Sequence, residues 1–383
     1  MSDLKKYGRI NLHPGDSYRD EKRYWQGCPT IARSKGGILY AGWYTGGTRE
    51  PSPFNCNIMV KSTDNGISWS DVFLAIESVP GDKIRAIDIQ LWIDPDWKLW
   101  AFWTVRDDNF RNDDPQHLSV WAMVCDDPDA AELVWSEPRF ISSGFLRCQP
   151  TVLSDGRILL FSYDWTNEYY CYSESCDGGV SWQRRQGGRK IATSFDEGMA
   201  VEKLDGSIWL LARSDKGAIA ESYSFDGGKT WSDGKLTGLT APSSRHFIKR
   251  LKSGNLLLVR NNSLPPHRTN MTAYLSDDDG KSWKWSLLID ADIHVSYPDA
   301  AFDGDGVIYL LHDHCRFHGK TIYISRLTEE DIKAGKCVDP DSYVKHIVSK
   351  PPYDPVDQEE YDKLAALDAQ WRAENSKFNS KEV

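Results

Sequence analysis

The sequence predicts an all-β chain: a six-bladed β-propeller with four-stranded antiparallel blades and a short C-terminal helical tail. Three observations carry this. A strand–turn–strand motif recurs six times, a Ser-x-Asp-x-Gly-x-x-Trp turn recurs in step with it, and the 383 residues include 16 Trp and 17 Tyr. Aromatic side chains suit pleated, half-buried surfaces, and frequent Gly and Asp-Gly turns accompany many short strands. With 40% hydrophobic residues the chain can bury a full core.

Along the chain, the second strands of the hairpins start near Ile38, Leu99, Ile158, Ile208, Leu256 and Ile308. These starts are 61, 59, 50, 48 and 52 residues apart, too long for leucine-rich or ankyrin repeats and right for a four-stranded blade. Blades are expected over 24–327, with 1–23 an N-terminal strand or extension closing the propeller. The turn motif reads Ser62 to Trp69, Ser175 to Trp182, Ser224 to Trp231 and Ser276 to Trp283, with a degenerate copy from Cys125 to Trp135. Its Ser and Asp should cap backbone N–H groups, its Gly take a left-handed conformation, and its Trp pack the turn onto the blade. After Leu327, Thr328-Glu-Glu-Asp-Ile-Lys reads as a short helix start, Pro351-Pro352 as a break, and Asp357 to Ser376 as a charged peripheral helix. The polar, partly helical tail 328–383 packs on the propeller, bridges a dimer or stays mobile.

A net charge of -10 argues against a nucleic-acid partner, yet leaves room for an acidic small substrate in a locally positive pocket. No run approaches a membrane span, and MSDLKKYGRI has no apolar signal region. The expectation is therefore no membrane partner and a cytoplasmic location, or a secreted or periplasmic one if an export signal was trimmed; homo-oligomer formation is left open. The eight cysteines lack a CxxC pair and read mostly as reduced core residues.

The segment Phe195 to Arg213 organises the candidate site. Strand, Asp205-Gly206 turn and strand bring Glu197 and Arg213 to one rim. Alone, such a pair is more often only a surface ion pair. Counting eleven residues back from each second-strand start gives Gly27, Asp88, Arg147, Glu197, Arg245 and Tyr297. Five of the six are polar or ionisable where a core would be apolar, which points to a site around the central axis.

Four such turns, known as Asp-boxes, on six blades resemble the sialidase (neuraminidase) superfamily. The resemblance implies a Tyr/Glu nucleophilic pair, an acidic acid/base and three arginines gripping a substrate carboxylate. Glu197 and Arg213 match the family's Glu and second arginine, sixteen residues apart in a strand–Asp-Gly–strand hairpin. Arg268, in Arg268-Thr-Asn270-Met-Thr272 ahead of Ser276, matches the third arginine, and Tyr297, in Val-Ser-Tyr-Pro-Asp, the nucleophile. Glu50, between Arg49 and Pro51, falls where the family has an Asp acid/base. Asp88 ranks second for that role, or as a partner for sugar hydroxyls. The family's first arginine, in Arg-Ile-Pro, is absent because this chain reads Gly27-Cys28-Pro29. Arg245, Arg147 or Arg49 is expected to substitute, since a carboxylate clamp depends on guanidinium geometry as well as charge.

The function implied is a retaining exo-glycosidase of sialidase type, acting on a terminal sialic acid or another 2-keto sugar acid of a glycan or small sugar. A neutral Tyr nucleophile avoids the repulsion that a carboxylate would meet at such an anomeric centre, and Glu197 would take its proton. Glu50 would protonate the leaving oxygen and then activate water. No cofactor or metal is expected: His312-Asp313-His314-Cys315 with His318 has ligand-like residue types, but no distant matching ligand accompanies it. A carbohydrate-binding propeller without turnover, or a lyase using the same pocket, is the alternative.

Overall fold

The structure, a computed structural model, describes residues 6–375. Six antiparallel sheets form the six-bladed β-propeller. Their second strands begin at Leu39, Leu99, Ile158, Ile208, Leu256 and Ile308, so the period read from the sequence matches the blades to within one residue. Arg9–Asn11 lies along the outer edge of the first sheet, pairing with Leu74–Glu77. The last sheet takes its outer strand from Tyr343–Ser349 and so extends past Leu327.

Two compact units divide the chain. The first comprises the described residues of Met1–Phe140, Asp313–Tyr323 and Ile347–Val383; the second comprises Ile141–His312 and Ile324–His346. In the first, Tyr40, Met59, Leu74, Leu91 and Trp103 centre a buried cluster. In the second, Met199, Leu211, Phe247, Leu258 and Leu310 do the same. Each of these Leu, Met and Phe side chains, fully buried, contributes about 1.5–3 kcal/mol.

Strand alternation delivers these residues to the core, and the Asp-boxes hold the turns outside it. In the first box, Ser62 Oγ donates to Asp64 Oδ1 at 2.7 Å and accepts the Gly66 N–H at 2.9 Å, while Asp64 also accepts the Ser68 N–H at 2.9 Å. Trp69 Nε1 donates to the Gly66 carbonyl at 3.1 Å. The boxes at Ser175 and Ser224 repeat this pattern bond for bond, and the one at Ser276 repeats its Ser and Asp bonds. Hydrogen bonds from Ser68 hold the Asp64 carboxyl down at about 2. The degenerate copy makes a single bridge between Cys125 and Trp135.

The tail contains two helices. Helix α1 (Glu329–Ala334) starts at a capping box between Thr328 and Asp331 and sets Lys333 over the Trp285 ring. Helix α2 (Gln358–Asn375) buries one residue, Asp368, and is latched to the rest of the first unit by polar and ring contacts instead of an apolar stripe. Asp368 Oδ2 accepts the Thr48 N–H and hydroxyl at 2.7 Å each, and Oδ1 accepts the Ser52 hydroxyl. Tyr361 meets Tyr24 edge-on at 5.0 Å, and Arg85 lies over the Trp371 ring at 5.0 Å. Of the three options for the tail, its described part takes the packed one. The cysteines form no disulfide; five are buried, whereas Cys176 and Cys337 are exposed. No helix among the described residues is long and apolar enough to cross a membrane.

Candidate active site

In the second unit, the hairpin of Gly198–Glu202 and Ile208–Ala212 turns at Gly206, whose φ of +82° suits glycine. Gly198 pairs with Ala212, and the Arg213 N–H donates to the Glu197 carbonyl at 2.9 Å. That register puts both side chains on one face. Arg213 Nη1 donates to Glu197 Oε1 at 2.8 Å, to Oε2 at 3.0 Å and to the Tyr297 phenol oxygen at 3.0 Å. The Tyr297 hydroxyl donates to Glu197 Oε1 at 3.1 Å, closing a buried triangle.

Tyr297 stands at φ +52° within the strand Val295–Phe302. A non-glycine residue held in this left-handed region costs about 1–3 kcal/mol, which the surrounding packing must offset. Asp88 and Cys28 share the conformation, at +55° and +59°, each where the strand register shifts. The same device thus re-aims inner-strand side chains in several blades.

Three more arginines of the second unit surround or brace Tyr297. Arg147 lies over its ring at 5.0 Å and Arg268 at 5.5 Å. Arg268 Nε and Nη2 donate to the Ser243 carbonyl at 3.1 and 2.7 Å, while Arg213 Nε donates to Ser243 Oγ at 3.1 Å. Ser243, which carried no motif signal, thereby fixes two arginines at once. Arg245 turns to Asp299 Oδ1 and the Pro298 carbonyl, both at 2.8 Å, and to the Arg147 carbonyl, so its visible bonds brace the Tyr297 strand. Burial pushes the Glu197 carboxyl upward, but the guanidinium groups of Arg213, Arg147 and Arg268 outweigh it and hold Glu197 below its ordinary range. Glu197 is an ionised acceptor at neutral pH, poised against a phenol.

In the first unit, Glu50 sits on the loop between Leu39–Thr45 and Cys56–Ser62. Asn55 fastens this loop from inside by donating to the Gly46 and Arg49 carbonyls and accepting the Ser52 N–H. Asp368 fastens it from outside. Glu50 Oε1 accepts from Arg316 Nη1 at 2.7 Å. Arg316 Nε donates to Asp313 Oδ2 at 2.9 Å, and the same oxygen accepts the Cys28 N–H at 2.8 Å. A Cβ built on Gly27 would lie 2.6–2.8 Å from Cγ, Cδ and Nε of Arg316. Arg316 therefore occupies the space a side chain at position 27 would need. Sequence reasoning missed it, because the only clue was a glycine at the expected arginine position and Arg316 belongs to no local motif.

Asp88 is buried in the strand Ile84–Ile93. Arg49 is exposed and close enough to Arg372 on α2 for their charges to repel. His312 Nε2 lies 3.0 Å from Asp290 Oδ2, His314 stacks on Tyr323, and Asp313 serves Cys28 and Arg316. Among the described residues no group of three His, Cys, Asp or Glu is placed to hold a metal.

Comparison with known proteins adds a family and a set of similar folds. Residues 37–310 match the family model described as a BNR repeat-like domain. An anhydrosialidase of Macrobdella decora is 28% identical over 185 residues, covering 41% of this chain and 23% of that protein's length. The chain thus matches under a quarter of that relative. In structure, it is similar to a leech intramolecular trans-sialidase complexed with 2,7-anhydro-Neu5Ac, at a TM-score of 0.67 and 16% identity, covering 86% of this chain and 71% of that one. An intramolecular trans-sialidase from Ruminococcus gnavus gives 0.65 at 15%, covering 85% and 98%. A sialidase from Streptococcus pneumoniae also gives 0.65 at 15%, covering 82% and 70%. At these identities the structural likeness carries the fold.

Proposed function

The chain belongs to the BNR repeat-like domain family, and from that premise we propose that it is a propeller of the sialidase superfamily and a retaining exo-glycosidase releasing a terminal 2-keto sugar acid from a glycan. The observation that carries this reading is the buried triangle of Tyr297, Glu197 and Arg213. A phenol has an ordinary pKa of about 10 and is a weak nucleophile until a base takes its proton. Glu197, kept ionised by its arginines, is such a base at hydrogen-bond distance. As the proton moves to Glu197, the oxygen of Tyr297 attacks the anomeric carbon, and Arg213 stabilises the developing phenolate.

Glu50 acts as the acid that protonates the leaving oxygen and then as the base that activates water, which gives net retention. Arg213 and Arg268 bind the substrate carboxylate. Arg316 supplies the third guanidinium, in place of an arginine at position 27. Arg147 adds positive charge beside Tyr297, Arg245 braces its strand, and Asp88 offers a carboxylate to sugar hydroxyls.

The test is turnover of aryl glycosides of sialic acid and other 2-keto sugar acids by wild type, Tyr297→Phe and Glu50→Gln. Loss of the phenol is expected to lower kcat at least 10³-fold, and Glu50→Gln by about 10²–10⁴, the usual worth of acid–base catalysis. Two of the similar structures are named intramolecular trans-sialidases, so the assay must also identify the product: a free sugar acid, or an internal anhydro sugar if a substrate hydroxyl replaces water. Binding of a sugar acid without any turnover would contradict the hydrolase reading and favour a carbohydrate-binding propeller.

A further inference from the structure

Helix α2 and neighbouring loops of the first unit line an open cavity of about 590 Å³ that the proposed reaction does not use. Its walls combine two features. Aromatic rings come from Tyr24, Phe317, Tyr353 and Tyr361, and guanidinium groups from Arg49 and Arg372. Lys320 lines it as well, but its ammonium donates to the Pro352 and Tyr353 carbonyls at 2.8 and 2.9 Å and so fixes the segment that carries Tyr353. The nearby carboxylate of Asp368 is engaged with Thr48 and Ser52.

Two polar atoms on residues of the lining are closed to solvent and have no hydrogen-bond partner among the described residues: the hydroxyl of Tyr24, a residue only 6% exposed, and Arg372 Nη1. Buried donors are nearly always paired, so either side chain would gain a partner by turning toward a hydrogen-bond acceptor held in the pocket. Burial lowers the Arg372 pKa and the neighbouring Arg49 lowers it further, a cost that a bound anion would relieve. Aromatic faces suit the C–H faces of a sugar ring, and a pair of guanidinium groups suits a carboxylate or sulfate. The volume lies within the range of small-molecule sites.

We propose that this cavity is a second carbohydrate subsite that binds an anionic sugar unit, carrying a carboxylate or sulfate, on the leaving-group side of the bond to be cleaved. The leaving-group assignment rests on Glu50 being the acid that protonates that group. Arg49 directly precedes Glu50, and Phe317 directly follows Arg316, whose guanidinium holds Glu50. The subsite therefore begins one residue from the acid on one segment and one residue from its anchor on another. Helix α2 is accordingly a specificity element, and acidic glycans are favoured over neutral ones.

Two measurements test this with the full chain. Calorimetry with uronic-acid, sulfated and neutral disaccharides reads the cavity whether or not the protein is a hydrolase. Binding of an acidic disaccharide but not the neutral one, weakened at least tenfold by Arg372→Ala and partly restored by Arg372→Lys, supports the subsite, and the preferred probe tells carboxylate from sulfate. Absence of binding to all three, or equal binding by wild type and Arg372→Ala, overturns it. Unchanged helical circular dichroism and thermal midpoint in both variants establish that α2 is still folded; Tyr361→Ala gives an independent second lesion if one of them unfolds. The second measurement compares kcat/KM for one terminal sugar acid linked to an acidic or a neutral disaccharide. The acidic-to-neutral ratio is expected to fall at least tenfold in Arg372→Ala. An unchanged ratio in an enzyme that turns over both substrates contradicts the subsite alone, whereas binding of the acidic disaccharide without turnover of any sugar acid contradicts the hydrolase and leaves the subsite standing.

Discussion

The base role proposed for Glu197 requires it to be ionised, and its neighbours decide that. Burial would raise its pKa, whereas Arg213, Arg147 and Arg268 lower it by more. Replacing Arg147 with Gln removes one of these cations without touching the bonds of the triangle. The folded-state pKa of Glu197 must then rise, so the base becomes protonated at a higher pH. The acid limb of the kcat/KM profile should move upward in Arg147→Gln; an unmoved limb would show that another group governs it. Position 27 offers a second residue-scale prediction. Arg316 fills the space above Gly27, so Gly27→Arg alone should clash and lower stability. Arg316→Ala should raise KM about tenfold or more, and the double variant Gly27→Arg/Arg316→Ala should recover much of that loss and be more stable than Gly27→Arg. A double variant no better than Arg316→Ala would show that the two side chains do not serve the same purpose. An altered pH profile with KM unchanged would make Arg316 a positioning residue for Glu50.

At the scale of elements, the loop carrying Arg49 and Glu50 depends on α2. Asp368 is fully buried and accepts one backbone and two hydroxyl hydrogen bonds from Thr48 and Ser52. Deleting such an acceptor leaves buried donors unpaired, each at about 1–3 kcal/mol. Asp368→Ala should therefore destabilise the protein by about 3 kcal/mol in denaturant unfolding and lower kcat by loosening the acid's loop. A change below about 0.5 kcal/mol, within the usual range for surface substitutions, would show that the latch is not needed. The Asp-boxes work at the same scale but on the outside of the blades. Three of them share one set of Ser, Asp, Gly and Trp bonds, which is why one eight-residue pattern suffices to recognise them.

For the whole molecule, what could be read in the sequence follows from what is repeated and what is local. A blade is one hairpin pattern used again, so five of the six second strands start where the periodicity places them and the sixth differs by one residue. Glu197 and Arg213 were legible because a short turn fixes their register, and Tyr297 because the blade phase carries it to the same level. Arg316 was not legible: its closeness to Gly27 joins residues almost 300 positions apart, and nothing in either segment encodes the pairing. The docking of α2 escaped for the same reason, since a single buried Asp and scattered ring contacts replace the apolar periodicity that announces a packed helix. Whether the propeller uses Tyr297 as a nucleophile is tested most directly by trapping. The protein is reacted with a fluorinated, activated analogue of the sugar acid it turns over, digested, and mapped by mass spectrometry. The account predicts one added sugar mass on Tyr297, absent from Tyr297→Phe; a label on Glu197 or Glu50, or full turnover by Tyr297→Phe, would contradict it.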